Sequence, residues 1–161
     1  MPAYSEREEE YNQTVTFEEA LASNKYLLYT AVGHSMMPLL RPCKDIIEIK
    51  PLDTPPQKYS IYLYKRNGQY ILHRCLSSDP YIFAGDHNTF KEYDVNDDMI
   101  LGVMTRVIRD GKSIYPDNWK YKLYSHLWVD FYSARVFILK KKSKVRYAVH
   151  KLNSLVKRTR A

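Results

Sequence analysis

Between Lys25 and Ile114 the chain alternates short apolar runs, rich in Ile, Val and Tyr, with polar turns. Six runs predict β-strands, at 26–32, 45–50, 60–65, 70–76, 81–84 and 99–108. Arg66-Asn67-Gly68-Gln69 and Arg109-Asp110-Gly111-Lys112 predict tight hairpins, because Asn-Gly and Asp-Gly pairs tolerate the positive φ that such turns demand. Pro51, Pro55 and Pro56 mark a loop, since proline donates nothing to a strand ladder. The expected fold class is mainly β, with an antiparallel sheet domain over 25–116.

The flanks read differently. Residues 1–24 are polar, with a short helix predicted at 17–23. Thr16 and Glu19 form a capping box, in which hydroxyl and carboxylate satisfy the free amides of the first turn. From 117 onward the period turns helical. Tyr124, Leu127, Phe131, Ala134 and Ile138 recur at three and four, and Val145, Val149, Leu152 and Val156 continue the series. The predicted third part is therefore a basic amphipathic helical tail over 117–161.

Charge sharpens that division. Twelve Lys and Arg stand against one acid, Asp130, from Trp119 to Ala161, so the tail carries +11 while the whole chain carries +7. A basic tail on a mildly acidic body points to anionic lipid, nucleic acid or an acidic protein. The tail's apolar stripe suits equally an anionic membrane surface at residues 119–161 and a helix packed on the sheet domain with its charged face in solvent. Nucleic acid ranks below both, because no helix-turn-helix or aromatic-basic reading motif is present. No run reaches the ~18–20 apolar residues that span a bilayer. The first ten residues are acidic and polar where a signal peptide would be basic and then apolar. The expectation is a cytoplasmic protein, peripheral on the inner face of the membrane. Two cysteines, Cys43 and Cys75, lack metal-binding spacing, so neither a metal nor any other cofactor is expected.

Candidate chemistry begins at Gly33-His34-Ser35-Met36-Met37-Pro38-Leu39-Leu40, where a strand ends in a glycine turn that presents a serine. Ser-Met-x-Pro-x-Leu resembles the nucleophile box of signal peptidase I and, less closely, that of self-cleaving SOS-repressor domains. Tyr70-Ile71-Leu72-His73-Arg74-Cys75 looks like the second box of the histidine-base branch. Phe83-Ala84-Gly85-Asp86-His87-Asn88 looks like its Gly-Asp-Asn-Asn box, and Ile100-Leu101-Gly102-Val103 like its closing strand. The order of the boxes matches across 26–108.

The resemblance implies the antiparallel sheet of the signal-peptidase and repressor-peptidase type, and a serine endopeptidase that cuts precursor or leader peptides. Ser35 is then the nucleophile, and its backbone N–H an oxyanion donor. His73 is the general base, a role that suits an imidazole near neutral pH. Asp86 is the first choice for the acid that holds the imidazole, with Glu92 and Asp94 as rivals. Met36, Met37 and Pro38 are expected at the substrate. Gly33 leaves no side-chain hydroxyl two residues before the nucleophile, and Tyr59-Ser60 stands where a second Gly-Asp is common. The alternatives are a catalytically inactive peptidase-fold binding module for membrane or nucleic acid, and a self-cleaving repressor-type peptidase.

Overall fold

In the computed structural model, which describes residues 15–144, strand β3 (Ile61–Arg66) is buried on both faces. Its alternation explains how. Ile61 and Leu63 enter an apolar cluster with Ile47, Ile49, Leu72, Met104 and Val107, while Tyr62 and Tyr64 enter a second with Cys75, Phe83, Val95 and Ile100. Successive side chains on a strand point to opposite faces, so one strand feeds both cores. Each fully buried aliphatic or aromatic chain contributes about 1.5–3 kcal/mol relative to exposure.

Around β3 the elements run in chain order. Helix α1 (Phe17–Asn24) precedes β1 (Leu27–Thr30) and β2 (Ile46–Lys50). After β3 come β4 (Gln69–Ser78), β5 (Tyr81–Ala84), a short 3-10 turn (Asp97–Met99), β6 (Ile100–Arg109), β7 (Lys112–Ile114) and α2 (Trp119–Asp130). The chain is helical again over 132–144. The strands form one seven-stranded sheet of order β1-β2-β6-β3-β4-β5, with β7 beside β6, and every pairing is antiparallel. Among the described residues no helix is long and apolar enough to cross a membrane.

All six predicted strands are present, and so are both turns, with Asn67-Gly68 at φ 51° and 75° and Asp110-Gly111 at φ 50° and 75°. The predicted helix forms with its capping box, Glu19 N–H donating to Thr16 Oγ1 and Thr16 N–H to Glu19 Oε2. Three differences have physical causes. β7 went unpredicted because three residues hold too little alternation, and the Asp110-Gly111 turn creates it. Asp45 leaves the predicted strand and anchors a loop, its carboxylate held by Arg41 at 2.8 Å and by Arg109.

Helix α2 packs through Tyr121, Ser125 and Val129; of the predicted stripe Tyr124 reaches Asp86, whereas Leu127, Phe131 and Ile138 are 49%, 62% and 62% exposed. Buried polar groups select that face: Ser125 Oγ accepts from Arg74 Nη1 at 2.9 Å, and Trp128 Nε1 donates to the Asp86 carbonyl at 2.8 Å. Leu21 of α1 and Tyr121 of α2 both join the apolar cluster of the sheet, so both predicted flanks contribute to its core. Residues 1–14 and the second apolar series (Val145, Val149, Leu152, Val156) lie outside the described residues.

Candidate active site

Ser35 follows β1 in a turn whose next residues coil tightly, with Met37 N–H donating to the His34 carbonyl and Leu40 N–H to that of Met36. Met36 plugs into the apolar core at 2% exposure, which fixes the turn beside the sheet. His73 sits near the middle of β4, opposite Tyr62 in the ladder. Alternation therefore turns it to the same face as Tyr62 and Tyr64 and sends its neighbour Arg74 to the other.

The third piece is the segment after β5. Gly85 is buried, and a methyl group there would lie 2.7 Å from the Ser35 carbonyl oxygen, 2.9 Å from His73 Nε2 and 2.9 Å from Asn88 Nδ2. Glycine is what permits these three groups to converge. His87 N–H donates to the Ser35 carbonyl at 2.7 Å, which ties the serine turn to this loop. Among the described residues neither the Ser35 nor the Met36 N–H donates to a backbone carbonyl.

Ser35 and His73 line one cleft of about 240 Å³, together with Tyr29, Ala31 and Gly33 on one side and Leu63, Tyr70, Ile71 and Leu72 on the other. Two strand edges flank it. β1 is the outer strand of the sheet, and β4 pairs with β5 only from Arg74 onward, leaving 69–73 with one open edge.

The imidazole is held from behind. Glu92 Oε2 lies 3.0 Å from His73 Nδ1 and accepts from the Tyr64 hydroxyl, which is itself 3.1 Å from Nδ1. An ionised carboxylate only accepts, so the neutral ring carries its proton on Nδ1 and keeps a lone pair on Nε2. Nε2 faces Asn88 Nδ2 at 3.4 Å. Burial alone would raise the pKa of Glu92. Hydrogen bonds from His73 and Tyr64, with the charge that His73 carries when protonated and that of Arg66, outweigh it and bring the group down to about 2. Burial, followed by the Glu92 carboxylate, pushes the Tyr64 phenol far up, so it stays a donor.

The expectation that Asp86 holds the imidazole is corrected. Both its oxygens engage Arg74, at 2.8 Å from Nε and 2.7 Å from Nη2, and Tyr124 donates to it at 3.0 Å. Because Arg74 points away from His73 across the sheet, its partner must lie on that far face. Asp94 is also elsewhere, exposed and paired with Arg66 at 2.9 Å. The carboxylate on the ring is Glu92, brought there by its bridge to Phe83 of β5. Of the expected substrate residues, Met36 borders the cleft from the core, while Met37 and Pro38 are not among the residues that line it.

Sequence reasoning missed Tyr64 and the Arg74–Asp86 pair. Tyr64 carried a usable signal, since strand alternation places it on the His73 face. Among the described residues no group of three or more His, Cys, Asp or Glu is disposed to hold a metal ion. No family model, curated protein or solved structure matches the chain.

Proposed function

We propose that the protein is a serine endopeptidase of the signal peptidase I type, cutting precursor or leader peptides with Ser35 as nucleophile and His73 as base. The observation that carries the reading is the state of His73. Its Nδ1 is tied to Glu92, its Nε2 lies beside Gly85 and Asn88, and the residue lines the same cleft as Ser35.

In this reading a peptide enters extended and adds to the open edge of β4 or β1, so main-chain hydrogen bonds orient it without regard to sequence. Nε2 releases Asn88 and accepts the Ser35 proton as the hydroxyl attacks the peptide carbonyl; such contacts tighten when substrate enters. Glu92 holds the ring in the correct tautomer and stabilises the imidazolium that forms. The Ser35 N–H, which is given to no backbone carbonyl, receives the oxyanion. The protonated ring then gives its proton to the leaving amine, and water releases the acyl group by the same route. The small lining residues Ala31 and Gly33 suit a small side chain before the cut, as the family resemblance implies.

Tyr59 supports the finer fold assignment. It adopts φ 77°, a conformation that favours glycine, where the family usually carries Gly-Asp. The test is cleavage of a peptide library with Ala before the scissile bond. The intact chain should cut it, and Ser35→Ala and His73→Ala should each leave it whole while each variant still folds. Cutting by either variant would end the proposal. A second reading, a peptide-binding module without turnover, draws on the Asn88 contact at Nε2. It requires that the intact chain bind the same peptides and leave them uncut.

A further inference from the structure

The helices after the sheet use one face to pack and leave another bare. Trp119, Leu123, Leu127, Phe131, Phe137 and Ile138 are between 49% and 66% exposed. Leu127, Phe131, Ala134, Ile138 and Leu139 border a single shallow groove of about 190 Å³, so the two helical stretches present their apolar residues on a common side. Leu139 also borders an adjoining hollow lined by Phe137, Lys140, Lys141 and Lys144. Apolar and cationic surfaces therefore meet at Leu139, and Lys140, Lys141, Lys142 and Lys144 are all exposed. The tail's one acid, Asp130, is engaged elsewhere, with Lys58 at 2.9 Å and Tyr59 at 3.0 Å.

We propose that this face docks on an anionic phospholipid surface, with Leu127, Phe131 and Ile138 in the headgroup boundary and Lys140, Lys141 and Lys142 on the phosphates. Charge selects the occupant. A second copy would bring another +11 tail against this one, and a nucleic acid would satisfy the lysines but leave the apolar groove wet. A lipid surface satisfies both at once, as interfacial amphipathic helices do. Thr89 borders the lysine-lined hollow and adjoins Asn88, so docking would hold the candidate catalytic loop close to the bilayer. The docking itself stands without the peptidase reading.

Flotation of the full chain with vesicles tests it. The chain should float with phosphatidylcholine vesicles containing phosphatidylglycerol and stay below with phosphatidylcholine alone. Replacing Lys140, Lys141 and Lys142 by Gln should weaken binding about fivefold for each charge removed. Leu127→Ser with Phe131→Ser should weaken it at least about tenfold. Both variants alter only exposed positions, so their unfolding temperatures should match the parent's. The proposal is overturned if the parent does not float with the anionic vesicles, or if the serine variant floats as well as the parent. It is also overturned if RNA binds the parent and the serine variant equally, or if the parent is a dimer that the serine substitutions dissociate.

Discussion

Glu92 Oε2 and His73 Nδ1 stand 3.0 Å apart, nineteen residues distant in sequence, with the ring's other nitrogen left beside Asn88 and Gly85. This pairing, with the Tyr64 hydroxyl on the same carboxylate oxygen, fixes both the tautomer and the orientation of the imidazole. Glu92→Gln should therefore lower turnover by about 10²–10⁴. Steady-state kinetics on a cleaved peptide would read it, and a variant with parental turnover would show that Glu92 does not serve the base.

The same carboxylate makes stability depend on acid. The folded pKa of Glu92 is about 2 against an ordinary 4.5. A group depressed in this way stabilises the fold fully above its unfolded value and loses that contribution as pH falls toward the folded one. The loss belongs between about pH 4.5 and pH 2. Denaturant titrations across that window should show the parent losing up to a few kcal/mol more than Glu92→Gln. Parallel curves for the two proteins would contradict the assignment.

Gly85 offers a steric test. A methyl group there meets the Ser35 carbonyl, a backbone atom that must move, and His73 Nε2. Gly85→Ala should cost about 1–3 kcal/mol in unfolding free energy and separate nucleophile from base, so turnover falls far more than folding does. Undiminished cleavage would mean that the convergence of Ser35, His73 and Asn88 on this point is not the working geometry.

Arg74 and Asp86 are both fully buried and paired at 2.7 Å. Breaking such a pair leaves a lone charge in the interior, so Asp86→Ala should destabilise by about 3–5 kcal/mol. Arg74→Met combined with Asp86→Leu removes that pair but leaves buried Arg135, 3.9 Å from Asp86, without its carboxylate, so it should recover part of that loss. Thermal unfolding distinguishes the two variants, and equal destabilisation would show that the cost lies in packing.

Much of this was legible in the chain. Strand alternation and the Asn67-Gly68 and Asp110-Gly111 pairs marked the sheet, and the boxes around Ser35, His73 and Gly85 converge in space. The choice among Asp86, Glu92 and Asp94 was not legible. It depends on which face of β4 each loop reaches, and the separation of His73 from Arg74 across the sheet decides it. The packed face of α2 was hidden for a related reason. Hydrophobic periodicity finds Tyr124, Leu127 and Phe131, of which only Tyr124 meets the buried pair; the other partners that Arg74 and Asp86 require are Ser125 and Trp128.

The central claim is that His73, held by Glu92, activates the Ser35 hydroxyl. Intact-mass spectrometry after exposure to a serine-reactive phosphonate probe tests it most directly. The account predicts one adduct on the native chain, mapped to Ser35, absent in Ser35→Ala and strongly slowed in His73→Ala and Glu92→Gln. Labelling of Ser35 at the same rate in all three histidine and glutamate backgrounds, parent included, or no labelling of the native chain at all, would contradict it.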